Sequence, residues 1–254
     1  MMNAMLRFLA GCLLGLWAFG QALPTFEVAS IKPSAPGGRA GIVRMMPGNQ
    51  TYIANNVPLR LIMTVAYSVT DRQISGGPDW INNEPYEITA KSDSRHTAEE
   101  MHAMLARLLE ERFQLNIRHE KREMPVWALV LDKGGAKLTE HDASDLDHPP
   151  FGPGLNGRGT TGRNVRMDYF AFYLSRLLDR NVIDRTGLTK SYDLTLDFVR
   201  DLPPRPDGAP GEPQRAEGPS IFTALKEQLG LRLESARGPV EHLVIEKAER
   251  PAAN

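Results

Sequence analysis

The chain has 254 residues, a formal net charge of -1, 41% hydrophobic and 24% charged residues, and a single cysteine. That length holds one large or two small domains, and the apolar share is enough to bury a core in each. Charges of both signs are mixed along the chain, so it lacks the basic face that phosphate backbones require, and nucleic acid is excluded as the expected partner.

The first 22 residues are a different material from the rest. Arg7 is their only charge, Phe8 to Phe19 is an apolar run, and Gly20-Gln21-Ala22 places small residues at both cleavage-site positions. This predicts a secretory signal peptide over 1–22, too short for a membrane span, and hence a periplasmic or extracellular protein with no membrane span after cleavage. The competing reading is lipidation at Cys12, because Leu9-Ala10-Gly11-Cys12 has the form of a lipobox, but most of the apolar run follows that cysteine instead of preceding it. Cleavage after Ala22 leaves no cysteine, which excludes disulfides, a thiol nucleophile and thiolate metal sites.

From there the predicted elements run as follows. Phe26 to Ile31 alternates and predicts a strand; Pro33 to Gly48 is rich in Pro and Gly and predicts a loop. Asn55-Asn56 offers a cap for a helix with Leu59, Ile62, Met63 and Ala66 on one face. Tyr86 to Lys91 predicts a strand. Thr97 and Glu100 form a capping box for a helix that aligns Met101, Met104, Leu105, Leu108, Leu109 and Phe113. Two strands, Leu115 to Glu120 and Val126 to Leu131, are then expected about a charged turn at Lys121-Arg122-Glu123. Residues 141–164 predict a connecting loop. Asp168 is the expected cap of the next helix, followed by a turn at Asp184 to Gly187 and a strand from Tyr192. The Pro-rich stretch 200–219 has too little apolar matter to offset chain ordering and is expected to be mobile. A helix from Ser220 and strands Leu231 to Glu234 and Val240 to Glu246 close the chain.

Two segments say the same thing. Glu110 to Lys133 aligns with Lys226 to Lys247, so that Phe113, Leu115 and Ile117 meet Leu229, Leu231 and Leu233, and Pro125-Val126 meets Pro239-Val240. Such self-similarity predicts two α+β modules of one design, helices packed on a short, mostly antiparallel sheet, spanning 23–140 and 165–254. The order of elements resembles the short N-terminal module of secretins and TonB-dependent transducers. More specifically, Phe26-Glu-Val-Ala-Ser-Ile-Lys32, Ile74-Ser-Gly-Gly-Pro78 with Trp80, Leu108 to Phe113, Val182-Ile-Asp-Arg-Thr-Gly-Leu188, Tyr192-Asp193 and Gln228 to Glu234 with Gly238-Pro-Val240 resemble an uncharacterised, soil-associated family of secreted bacterial proteins. That resemblance implies no catalytic residues.

No frame of catalytic groups stands out. Glu140 to His148 reads EHDASDLDH, whose imidazoles and carboxylates are metal-ligand types, yet the stretch lacks a known zinc spacing and reads as a hydrated acidic loop. His96, His102, His119 and His242 have no mutual spacing that suggests a site, and His119 and His242 are expected to face outward from strands. Ser220 reads as a helix cap, and Asp184-Arg185-Thr186-Gly187 as a turn in which Gly187 takes a positive φ. Trp127, on an apolar strand, is expected in the core. Trp80 follows a Gly-Gly-Pro turn and is the candidate binding residue, weighed against a structural role plugging a sheet end. The expectation is therefore a protein without catalytic residues, metal or cofactor, and not an enzyme, that recognises a protein or peptide of the cell envelope. The alternatives are a hydrolase between the modules using His141, His148 or Asp184, and an extracytoplasmic small-ligand sensor.

Overall fold

The computed structural model describes residues 24–35, 41–46, 48–141, 151–154, 158–199 and 218–252. The predicted signal peptide with Cys12, the acidic stretch containing His148, and residues 200–217 of the Pro-rich insert lie outside them. Among the described residues five α-helices and twelve strands form three four-stranded, mostly antiparallel sheets, an α+β fold. No helix among them is long and apolar enough to cross a membrane.

The N-terminal part contributes β1 (Val28–Pro33), β2 (Ile42–Met45), β3 (Thr51–Pro58), α1 (Leu59–Ala66), β4 (Ile74–Gly76), α2 (Trp80–Asn83), β5 (Pro85–Lys91), α3 (Ala98–Phe113) and β6 (Asn116–Leu131). The C-terminal part contributes β7 (Thr139–Glu140), β8 (Phe151–Pro153), β9 (Thr160–Arg166), α4 (Met167–Leu177), β10 (Val182–Asp184), β11 (Ser191–Leu196), α5 (Ile221–Leu229) and β12 (Leu231–Lys247). The outer sheets run β1-β5-β3-β2 and β7-β11-β9-β8, and between them lies a sheet of order β10-β6-β12-β4.

Local chemistry sets several boundaries. Thr97 Oγ1 accepts the Glu100 N–H at 3.2 Å while Glu100 Oε2 accepts the Thr97 N–H at 2.9 Å, so the capping box starts α3 as expected. Ser220 Oγ caps α5 by accepting the Thr223 N–H at 3.2 Å. The cap of α1 is instead Pro58, and Asn55-Asn56 belongs to β3. Arg166 occupies the cap of α4, with the Asp168 carboxylate accepting the Tyr169 N–H inside the first turn. The stretches predicted as loops also hold strands: β2 lies within 33–48, β8 within 141–164, and β9 begins inside the latter and ends at Arg166. In β9, TTGRNVR, Val165 is the one large apolar residue, buried along with Thr160 and Gly162, while the backbone pairs with β11.

The largest departure is at the centre. Each predicted pair of short strands is one unbroken strand, and β6 and β12 run antiparallel from Leu131 opposite Leu231 to Ile117 opposite Ile245. The residues Lys121 to Glu123 are ladder positions, not a turn. The short strands then cross over: β4 pairs in parallel with β12 at Leu243 to Ile245, and β10 with β6 at Trp127 to Leu129. As a result the first apolar core, built on α1, α3 and β5, includes Leu243 and Ile245, while the second, built on α4, α5 and β11, includes Leu129.

Candidate functional site

The phase of the two long strands follows from their outer bonds. Trp127 N–H donates to Asn181 O at 2.8 Å and Arg185 N–H to Leu129 O at 2.9 Å, so the odd-numbered residues of β6 turn their backbone groups away from β12. On β12, Ile245 O accepts the Gly77 N–H at 3.0 Å and Glu241 O accepts Gln73 Nε2 at 2.8 Å, which fixes the same phase there. Pro125 and Pro239 both fall on outward positions. A proline lacks the N–H that an inward position would need, so these two interrupt no ladder bond, and the strands pass through them.

Each long strand is therefore covered on its outer side near one end only. From Ile117 to Glu123 the outer edge of β6 has no strand against it among the described residues. Among the described residues Arg237 Nη2 donates to Glu123 O at 3.3 Å, and the Tyr67 ring stands edge-on to His119 at 6.5 Å between ring centres. The side chains along this edge are charged and mostly exposed. Glu120 takes hydrogen bonds from Arg122 and Arg118, which together hold its carboxyl below the usual range, and Arg118 also binds Glu246 at 2.9 Å. His119 Nδ1 lies 2.6 Å from the Glu241 carboxylate across the pair. Charged residues and edge prolines limit indiscriminate strand pairing while leaving main-chain donors and acceptors at 117, 119 and 121 open.

The residues singled out from sequence are placed apart. Trp80 begins α2 and is half-buried, stacked on Phe113 at 6.2 Å between ring centres and edge-on to Tyr86 at 6.3 Å, with the Arg250 guanidinium 5.3 Å over its ring. Arg250 is held in turn by both oxygens of Glu84. Asp184 closes the expected turn: its Oδ1 accepts the Thr186 N–H and hydroxyl, each at 2.8 Å, and Gly187 has φ +73°. His141 Nδ1 lies 2.6 Å from Asp193 Oδ1, which also accepts the Asn164 N–H at 3.0 Å. No three His, Cys, Asp or Glu side chains among the described residues gather as a metal site.

Two histidines are buried, and for one of them, His242, this differs from expectation. His242 is buried, not outward, with Nε2 3.3 Å from the Met124 sulfur, and burial followed by the Arg122 charge pushes its pKa down. His102 is buried in α3, 3.2 Å from Ser68 Oγ and between the rings of Tyr52 and Tyr169; burial lowers its pKa to about 4 and raises that of Tyr169 to about 12. Trp127 is half-buried instead of enclosed, edge-on to Phe222 and covered by Arg180 at 5.1 Å. Sequence alternation missed the open edge altogether, because an edge is defined by which strands pair and not by the residues on it.

The model of a family described as a protein of unknown function, DUF3738, matches residues 60–248. The chain belongs to this family. The match runs from α1 through β12, and so takes in the whole central sheet with its crossed pairings. No curated protein and no solved structure matches the chain.

Proposed function

We propose that the protein is a secreted, non-catalytic recognition module that takes up an extended segment of a cell-envelope protein or peptide as an added strand on the outer edge of β6. The observation that supports this reading is the open stretch Ile117 to Glu123, a row of main-chain groups with no strand against it among the described residues. Strand addition draws affinity from such groups and specificity from the alternating side chains, here Arg118, His119, Lys121 and Arg122 among glutamates. Secretion rests on the apolar N-terminal segment and its small-residue cleavage site.

The edge can be closed without touching the fold. Lys121→Pro removes one outward N–H, as Pro125 already does two positions on from Glu123, and should leave thermal unfolding nearly unchanged while abolishing capture of the partner from a native envelope fraction. A combined His141→Ala, His148→Ala, Asp184→Asn variant should capture as the wild type does. Equal capture by wild type and Lys121→Pro, or a hydrolytic turnover that the triple variant loses, would sink the proposal.

A further inference from the structure

We infer that the C-terminal part carries a second, separate binding site, for a small oxyanion such as a carboxylate or phosphate, in the cleft between β9, β11 and the end of α5. This cleft has a volume of about 500 Å³, in the range of small-ligand sites. Its wall follows from strand alternation. Tyr192, Leu194 and Leu196 point into the second core, so Asp193 and Thr195 point away from it. Register places Thr139 opposite Asp193 and Thr161 opposite Thr195, which lays three hydroxyls on one outward face.

Charge then selects the ligand. Lys137 and Arg163 both line the cleft and both are exposed; Arg163 has no partner among the described residues, and Lys137 donates to Glu227 O at 2.8 Å. Among the described residues the carboxylate there is Asp193, which already engages His141 and the Asn164 N–H through Oδ1. Two cations beside one engaged carboxylate favour an anion, and a guanidinium suits the paired oxygens of carboxylate or phosphate. Among the described residues the lining is polar and aliphatic. The site is also held in shape. Gln228 on α5 grips the backbone of Asp197 from both sides, accepting its N–H at 2.8 Å and donating to its carbonyl at 2.9 Å, which fixes the helix end against β11.

Calorimetric titration of the mature chain with inorganic phosphate, and separately with citrate, at low ionic strength tests this. Saturable binding of either probe at a single site is expected. Arg163→Gln should weaken it about tenfold or more, the loss expected of a charge-assisted contact, and Lys137→Gln should weaken it as well. Lys91→Gln, which removes an exposed cation on the first sheet, should change nothing. Absence of saturable binding to both probes would overturn the inference, as would an equal loss in Lys91→Gln, the sign of loose charge attraction. Arg163 is exposed and has no hydrogen bond or ion pair among the described residues, so the melting temperature of Arg163→Gln should match the wild type.

Discussion

The ends of α3 and α5 make the same turn with different residues. Each helix delivers a large apolar side chain, Phe113 or Leu229, to its core, passes through one left-handed residue, and enters a long strand of the central sheet. At α5 that residue is Gly230, φ +64°, and a methyl there would lie 2.0 Å from Gly135 O, so only glycine fits. At α3 it is Gln114, φ +47°, exposed, with its amide donating to Glu111 O at 2.7 Å. The backbone path is shared, while the demand for glycine is set locally, by a neighbouring loop that crowds one turn and leaves the other open.

The largest effects lie in the two cores. Phe113→Ala should cost about 3–5 kcal/mol and Leu229→Ala about 2–5 kcal/mol in denaturant unfolding. Because each core includes residues of the other long strand, either change should lower one cooperative transition. Two well-separated transitions would show the halves to be independent.

A second difference is that α3 buries an imidazole, whereas α5 buries only apolar side chains. His102 titrates at about 4 in the folded protein and near its ordinary value of about 6.5 when unfolded. Between those values the unfolded chain takes up a proton that the folded site refuses. Stability is thus fully present above about pH 6.5 and falls by about 3 kcal/mol as the pH drops to 4. Thermal unfolding of the wild type should lose that increment relative to His102→Gln over the same window. Parallel pH profiles would show that the imidazole is not held neutral.

The smallest effects lie at the two left-handed residues themselves. Gln114→Gly should stabilise by about 0.5–1 kcal/mol, because glycine adopts the left-handed conformation without strain, and Gly230→Ala should destabilise by at least about 1–2 kcal/mol. Melting temperatures moving in opposite directions would establish the asymmetry.

How much of this was legible depended on whether a feature is local. The Thr97–Glu100 box, the Ser220 cap and the Asp184–Gly187 turn are short-range hydrogen-bond patterns, and sequence spacing predicts each of them. Pro125 and Pro239, next to charged residues, read as strand ends because a proline inside a paired strand ordinarily costs a ladder bond. That they face outward is decided by partners more than a hundred residues away. β8 and β9 were hidden for the same reason, and so was His242, whose burial reflects the sheet around it. The open edge of β6 and the hydroxyl face of β11 were not legible at all, since both are products of strand order.

The crossed pairing of β4 with β12 has a consequence for how the chain comes to be folded. Ile74 meets its partner Leu243 only after all the residues between them have been made. Contacts of such high sequence separation form late, after most of the loop-closure entropy has been lost. The part that carries β4 therefore waits with an incomplete core, and β12 acts as a latch that licenses both halves at once.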